Sequence, residues 1–113
     1  GAPELVAEVA ASSVSIDLHI KKEVYRKCGV REYLVWRVLD AEVDWWILRD
    51  DRYVSLSRDE NGIIRSTTFP GLWLEVPALL RGDLTVVLDV LQQGLTSAEH
   101  TAFTKLLNPT QAP

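Results

Sequence analysis

The sequence predicts an α+β fold: a small, mostly antiparallel twisted sheet with one helix after the first strand and two helices at the C-terminus. Three observations carry this. A β-like run near the start leads into an apolar stripe of helical spacing over 17–28. Three strand-like runs then follow one another across short turns between residues 32 and 57. Beyond residue 83 the apolar period becomes that of a helix.

Residues 3–10 are apolar except for Glu4 and Glu8. As a strand, the run points Leu5, Ala7 and Val9 one way and Glu4, Val6 and Glu8 the other. "ASSVS" breaks it with small hydroxyl residues. Over 17–28 Asp17 is placed to cap a helix and Gly29 to stop it. Leu18, Val24, Tyr25 and Cys28 form its apolar stripe, which makes Cys28 a small core residue. Lys21 falls inside the stripe, while Lys22, Arg26 and Lys27 fall on faces open to solvent.

"EYLVWRVL" (32–39), "EVDWWIL" (42–48) and "RYVSLS" (52–57) read as strands joined by turns at "DA" and "RDD", and "RDENG" turns again before "IIRS". The expectation is one antiparallel meander. Adjacent Trp45 and Trp46 must face opposite ways. "FPGLWLEV" (69–76) reads as a connecting segment with short extended pieces. Leu84, Val87, Leu88 and Leu91 predict a helix over 83–93 that ends near Gly94. Ser97 opens another, with Phe103, Leu106 and Leu107 on its apolar side. "NPTQAP" reads as a frayed tail.

A net charge of −4 argues against general nucleic-acid or membrane attraction, although "KKEVYRK" gathers four of the twelve Lys and Arg residues and so leaves a local basic surface open. The one cysteine excludes an internal disulfide, and no apolar run is long enough to span a bilayer. A cytoplasmic location is the expectation. His19 and His100 have no metal-ligand spacing and read as surface residues.

Two positions are anomalous. A carboxylate in an apolar strand, Glu8, is costly unless it is paired or bound to metal; a glutamate at a strand end, exposed or bonded to a backbone amide, is the simpler alternative. Lys21 on an apolar stripe either snorkels to water or meets a carboxylate brought to it by the fold.

Together these positions resemble a known family. "APELVAEVAASSVSIDLHIKKEVYRKCGVREYLVW" closely resembles the restriction-endonuclease-like family abundant in cyanobacteria, within the PD-(D/E)XK nuclease superfamily. The family pattern runs P-D-L-V-x-E-V, a small or Ser-rich loop, D-x-x-x-K-x-x-x-Y, then G-[VI]-x-E-Y-x-[VL]. Pro3, Leu5, Val6, Glu8, Val9, Ser12, Ser13, Asp17, Lys21, Tyr25, Gly29, Val30, Glu32 and Tyr33 stand in register with it. "FPGLWLEV" is similar to its closing P-G-L motif.

The resemblance implies an endonuclease-like core over 2–76, the C-terminal part of the family fold, and a helical extension over 77–113. It implies Mg²⁺ as cofactor and DNA as partner. Glu8 becomes the metal-binding and catalytic acid of the (D/E)XK element. Ala10 stands where that element has its lysine, and Lys21 takes over the catalytic ammonium from the helix, with Asp17 and Tyr25 supporting. Glu4 replaces the usual aspartate of the P-D-L segment, and Ala11 an often polar residue.

The superfamily's further metal-binding aspartate lies on a strand upstream, and this sequence starts almost at the Glu8 strand. The site is therefore expected to be incomplete and the chain alone to show negligible nuclease activity. The alternative is a catalytically inactive remnant that serves as an interaction or assembly module. Uncovered apolar faces predict a homo-oligomer whose interface includes the first strand, the Trp-bearing strands or residues 84–107.

Overall fold

The computed structural model describes residues 3–11 and 15–107, and of residues 15–17 the backbone alone. It divides into two compact units, 1–56 and 57–113. The fold class is the predicted α+β, with a mostly antiparallel sheet and two C-terminal helices.

The first unit holds β1 (Leu5–Ala10), α1 (Ser15–Cys28), β2 (Glu32–Arg37), β3 (Glu42–Arg49) and β4 (Arg52–Ser55) in one sheet of order β1-β2-β3-β4. β1 pairs parallel with β2, and the other two pairings are antiparallel. A parallel pair needs a crossover, and α1 supplies it. The helix stops at Gly29, where φ is +79°. There the Gly29 amide donates to Arg26 O at 3.1 Å and the Val30 amide to Tyr25 O at 3.0 Å, the double bond of a Schellman ending.

Asp17 lies in the first turn of α1 and not at its cap, because the helix starts at Ser15. The Asp17 side chain and residues 12–14 lie outside the described residues.

β2 ends two residues earlier than expected. Arg37 binds Asp40 (2.8 Å) and Asp44 (2.7 Å), and this closes the turn and leaves Val38 and Leu39 exposed. At the β3–β4 turn Asp50 and Asp51 both have positive φ (50° and 64°), the form of a two-residue type I′ hairpin. Trp45 and Trp46 do face opposite ways. Trp45 is buried and donates its Nε1 to Glu32 at 2.8 Å; Trp46 is half-buried, with Lys22 Nζ 4.1 Å from its ring centroid.

The second unit holds β5 (Ile63–Arg65), β6 (Trp73–Glu75), α2 (Val76–Leu80), α3 (Leu84–Leu95) and α4 (Ala98–Leu107). The meander therefore stops at β4, and β5 pairs with β6 instead. Asp59 directs this. Its Oδ1 accepts from the Asn61 amide (2.8 Å) and the Ile63 amide (3.0 Å), and its Oδ2 from Arg65 (2.6 Å). "FPGLWLEV" forms β6 and enters α2, which Glu75 caps through the Ala78 amide at 2.8 Å.

α3 runs through Gly94 to Leu95. A Cβ at Gly94 would collide with the Gly71 carbonyl oxygen and the Trp73 ring, so this glycine serves close approach and not helix termination. That contact sets the rotation of the helix. Val90 and Gly94 are buried, and Leu84, Leu88 and Leu95 of the expected or neighbouring stripe are exposed. In α4, Phe103 meets Phe69 edge-on, but Leu106 and Leu107 face out. His100 is a half-buried residue whose Nδ1 lies 3.0 Å from Pro70 O; His19 is exposed as expected. Among the described residues no helix is long and apolar enough to cross a membrane.

Candidate active site

The strand–helix–strand unit β1–α1–β2 lays α1 over the sheet face that carries Val6, Glu8, Tyr33 and Trp46, since residues paired in register share a face. The inward line of α1 is Leu18, Lys21, Lys22, Tyr25 and Arg26, all half-buried. Val24 and Cys28 sit on a neighbouring stripe and are exposed, so Cys28 is not a core residue. Lys22 and Arg26 lie closer to the sheet than their charge suggests. Arg26 is held there by a forked contact to Glu23 (2.9 and 3.1 Å) and by Asp51 at 3.0 Å.

Lys21 and Tyr25 are four residues apart, hence on one face of the helix. Both reach Glu8. Lys21 Nζ donates to Oε2 at 3.1 Å, and the Tyr25 hydroxyl donates to Oε1 at 2.6 Å. A third donor comes from β2: the Tyr33 hydroxyl donates to Oε2 at 3.1 Å. Tyr33 is fully buried, with its ring edge-on to Tyr25 at 4.9 Å. Glu8 thus carries three donors, two of them phenols.

Partial burial pushes the Glu8 carboxyl up. The bonds from Tyr25, Lys21 and Tyr33, together with the Lys21 charge, outweigh it, and the group titrates below its ordinary range. The Lys21 side chain is 42% exposed and that of Glu8 23% exposed, and the three donors hold the Glu8 carboxylate in one orientation. Beneath the cluster Tyr53 donates to Val30 O at 2.8 Å, and its pKa is pushed up to about 12, chiefly by burial.

Of the residues singled out from the sequence, Glu8, Lys21 and Tyr25 come together. Glu4 does not join them; it pairs with Arg31 at 3.3 Å. Tyr33 was visible only as a position in the family pattern, since a tyrosine in a strand reads as packing. Its signal is register: it lies two residues from Val35, the partner of Glu8, on the same face.

Among the described residues no three His, Cys, Asp or Glu side chains gather to hold a metal ion. Mg²⁺ is usually held by one or two carboxylates with waters filling the other positions, whereas both oxygens of Glu8, the single described carboxylate of this cluster, already accept hydrogen bonds. These residues do not by themselves fit a protein-held Mg²⁺.

A mixed sheet entered through a strand–helix–strand unit, with a carboxylate on the strand and an ammonium on the helix, is compatible with part of a restriction-endonuclease-like fold. A family model described as "Uma2: Putative restriction endonuclease" matches residues 1–77, and the chain belongs to that family. At the level of the family its function is nuclease-like. No curated protein matches the chain.

Proposed function

We propose that Glu8 and Lys21 are the carboxylate–lysine half of a Mg²⁺-dependent endonuclease site acting on DNA phosphodiesters, and that the described residues do not complete it. The observation that carries this reading is the 3.1 Å pair between a strand carboxylate and a helix ammonium in a chain of a nuclease-like family. Lys21 donates to a phosphate oxygen and stabilises the charge that builds there during displacement. Glu8, held ionised, keeps that ammonium aimed. Tyr25 and Tyr33 fix the carboxylate, so its orientation costs nothing at the moment of reaction.

Two assays on the purified chain test this. Supercoiled plasmid with Mg²⁺ is expected to stay intact; robust cleavage abolished by Glu8→Ala would show a complete site. A labelled DNA duplex at low salt is expected to bind, and Lys21→Gln to weaken it. No binding at all would overturn the nuclease reading.

A second reading has its own observation. Leu84, Leu88 and Leu95 are 60%, 62% and 40% exposed along α3, and Leu106 and Leu107 are 80% and 63% exposed on α4. Apolar surface of this kind favours a homo-oligomeric assembly role. Sedimentation at micromolar concentration decides it: a dimer or larger species supports assembly, and a monomer speaks against it.

A further inference from the structure

We propose that Lys22, held over the Trp46 ring, is a docking site for a backbone phosphate of the nucleic acid, next to the phosphate that Lys21 engages. This rests on the nuclease-like reading of Glu8 and Lys21.

Several other cations of the first unit are held in ion pairs. Lys21 pairs with Glu8, Arg26 with Glu23 and Asp51, Arg31 with Glu4, and Arg37 with Asp40 and Asp44. Among the described residues Lys22 makes no ion pair and no hydrogen bond; its contact is the face of Trp46, 4.1 Å from Nζ to the ring centroid. A ring face attracts an ammonium without neutralising it. The ring therefore fixes the charge in place and leaves it available to an anion.

Its place in the fold makes the charge useful. Trp46 is the register partner of Tyr33, their rings are 5.5 Å apart, and the Tyr33 hydroxyl is bonded to Glu8. Glu8, Tyr33 and Trp46 lie on one face of the sheet, and Lys22 meets Trp46 there from α1. Lys21 and Lys22 are successive helix residues, about 100° apart around the axis. Both are half-buried, so both lean toward that face. A phosphodiester chain with one phosphate at Lys21 can bring a neighbouring phosphate to Lys22. A cation held beside an aromatic ring recurs on surfaces that track a nucleic-acid backbone.

The internal control is Lys27. It is on the same helix, carries the same charge and makes no ion pair among the described residues, but is exposed on another face. Binding of a fluorescein-labelled DNA duplex to the full chain is measured by anisotropy across a salt series. Lys22→Gln is expected to lower the slope of log K against log salt by about 0.9, the release expected for one phosphate contact. Lys22→Arg is expected to restore the slope, and Lys27→Gln to leave it unchanged. Thermal melting confirms that each variant is folded.

Equal effects of Lys22→Gln and Lys27→Gln overturn the docking site and show general charge attraction. If Lys21→Gln still weakens binding in that case, the reading of the Glu8–Lys21 pair stands and this proposal alone fails. Wild-type protein that binds no duplex overturns both.

Discussion

Helix α1 turns charge toward its sheet, whereas α3 turns its smallest residue toward its own. On α1 the inward line carries Lys21 and Lys22, and what meets them is a carboxylate, two phenols and an indole. On α3 the inward line carries Val90 and Gly94, and what meets Gly94 is backbone and a flat ring. The first contact is adjustable and polar; the second leaves no room for one added carbon. Close approach is the structural device of the second unit. A satisfied polar cluster is that of the first, and the chemistry lies there.

The largest effect that sharpens this contrast is expected at Gly94. Gly94→Ala drives a methyl group into the Gly71 carbonyl and should destabilise the second unit by about 2–3 kcal/mol, typical of overpacking. Urea denaturation measures it. A loss below about 0.5 kcal/mol, the scale of an ordinary surface change, would show that α3 can slide away and that the approach is not tight. A smaller effect is expected at Tyr33. Tyr33→Phe removes one donor from Glu8 and leaves the ring in place, a loss of about 1 kcal/mol. No change in stability would mean that the third bond to Glu8 contributes nothing. The smallest is at Cys28, where Cys28→Ser should stay within about 0.5 kcal/mol because the side chain is exposed. A larger loss would place the cysteine back among packed residues.

How much of this was readable in advance follows the same division. Glu8 and Lys21 stood out because each breaks an apolar pattern, and a break in a pattern is visible residue by residue. The stop at Gly29 and the turn at Asp50–Asp51 were readable because positive φ restricts residue choice. The rotation of α3 was not. Leu84 and Leu88 obey helical periodicity as well as Val90 does, and what selects among them is a contact at Gly94 with residues more than twenty positions earlier. The departure of β5 from the meander was hidden for a related reason. Both strand partners satisfy the local pattern, and the Asp59 turn decides between them. Tyr33 hid behind its own suitability for a buried strand.

The central claim is that Glu8, Lys21, Tyr25 and Tyr33 act as one unit that holds the Glu8 carboxylate ionised. Its most direct test is the titration of that carboxyl, followed by ¹³C NMR from pH 7 downward in the wild type and in Tyr25→Phe. The expected result is a midpoint below the ordinary glutamate value of 4.5, moving up when Tyr25 loses its hydroxyl. The sign for stability follows. A folded-state pKa below the unfolded one gives stability that is present above the unfolded value and is lost as pH falls through the folded value. The pH window is therefore below 4.5, and Glu8→Gln should lack this part of the acid transition. A wild-type midpoint at or above 4.5, unmoved in Tyr25→Phe, would contradict the account.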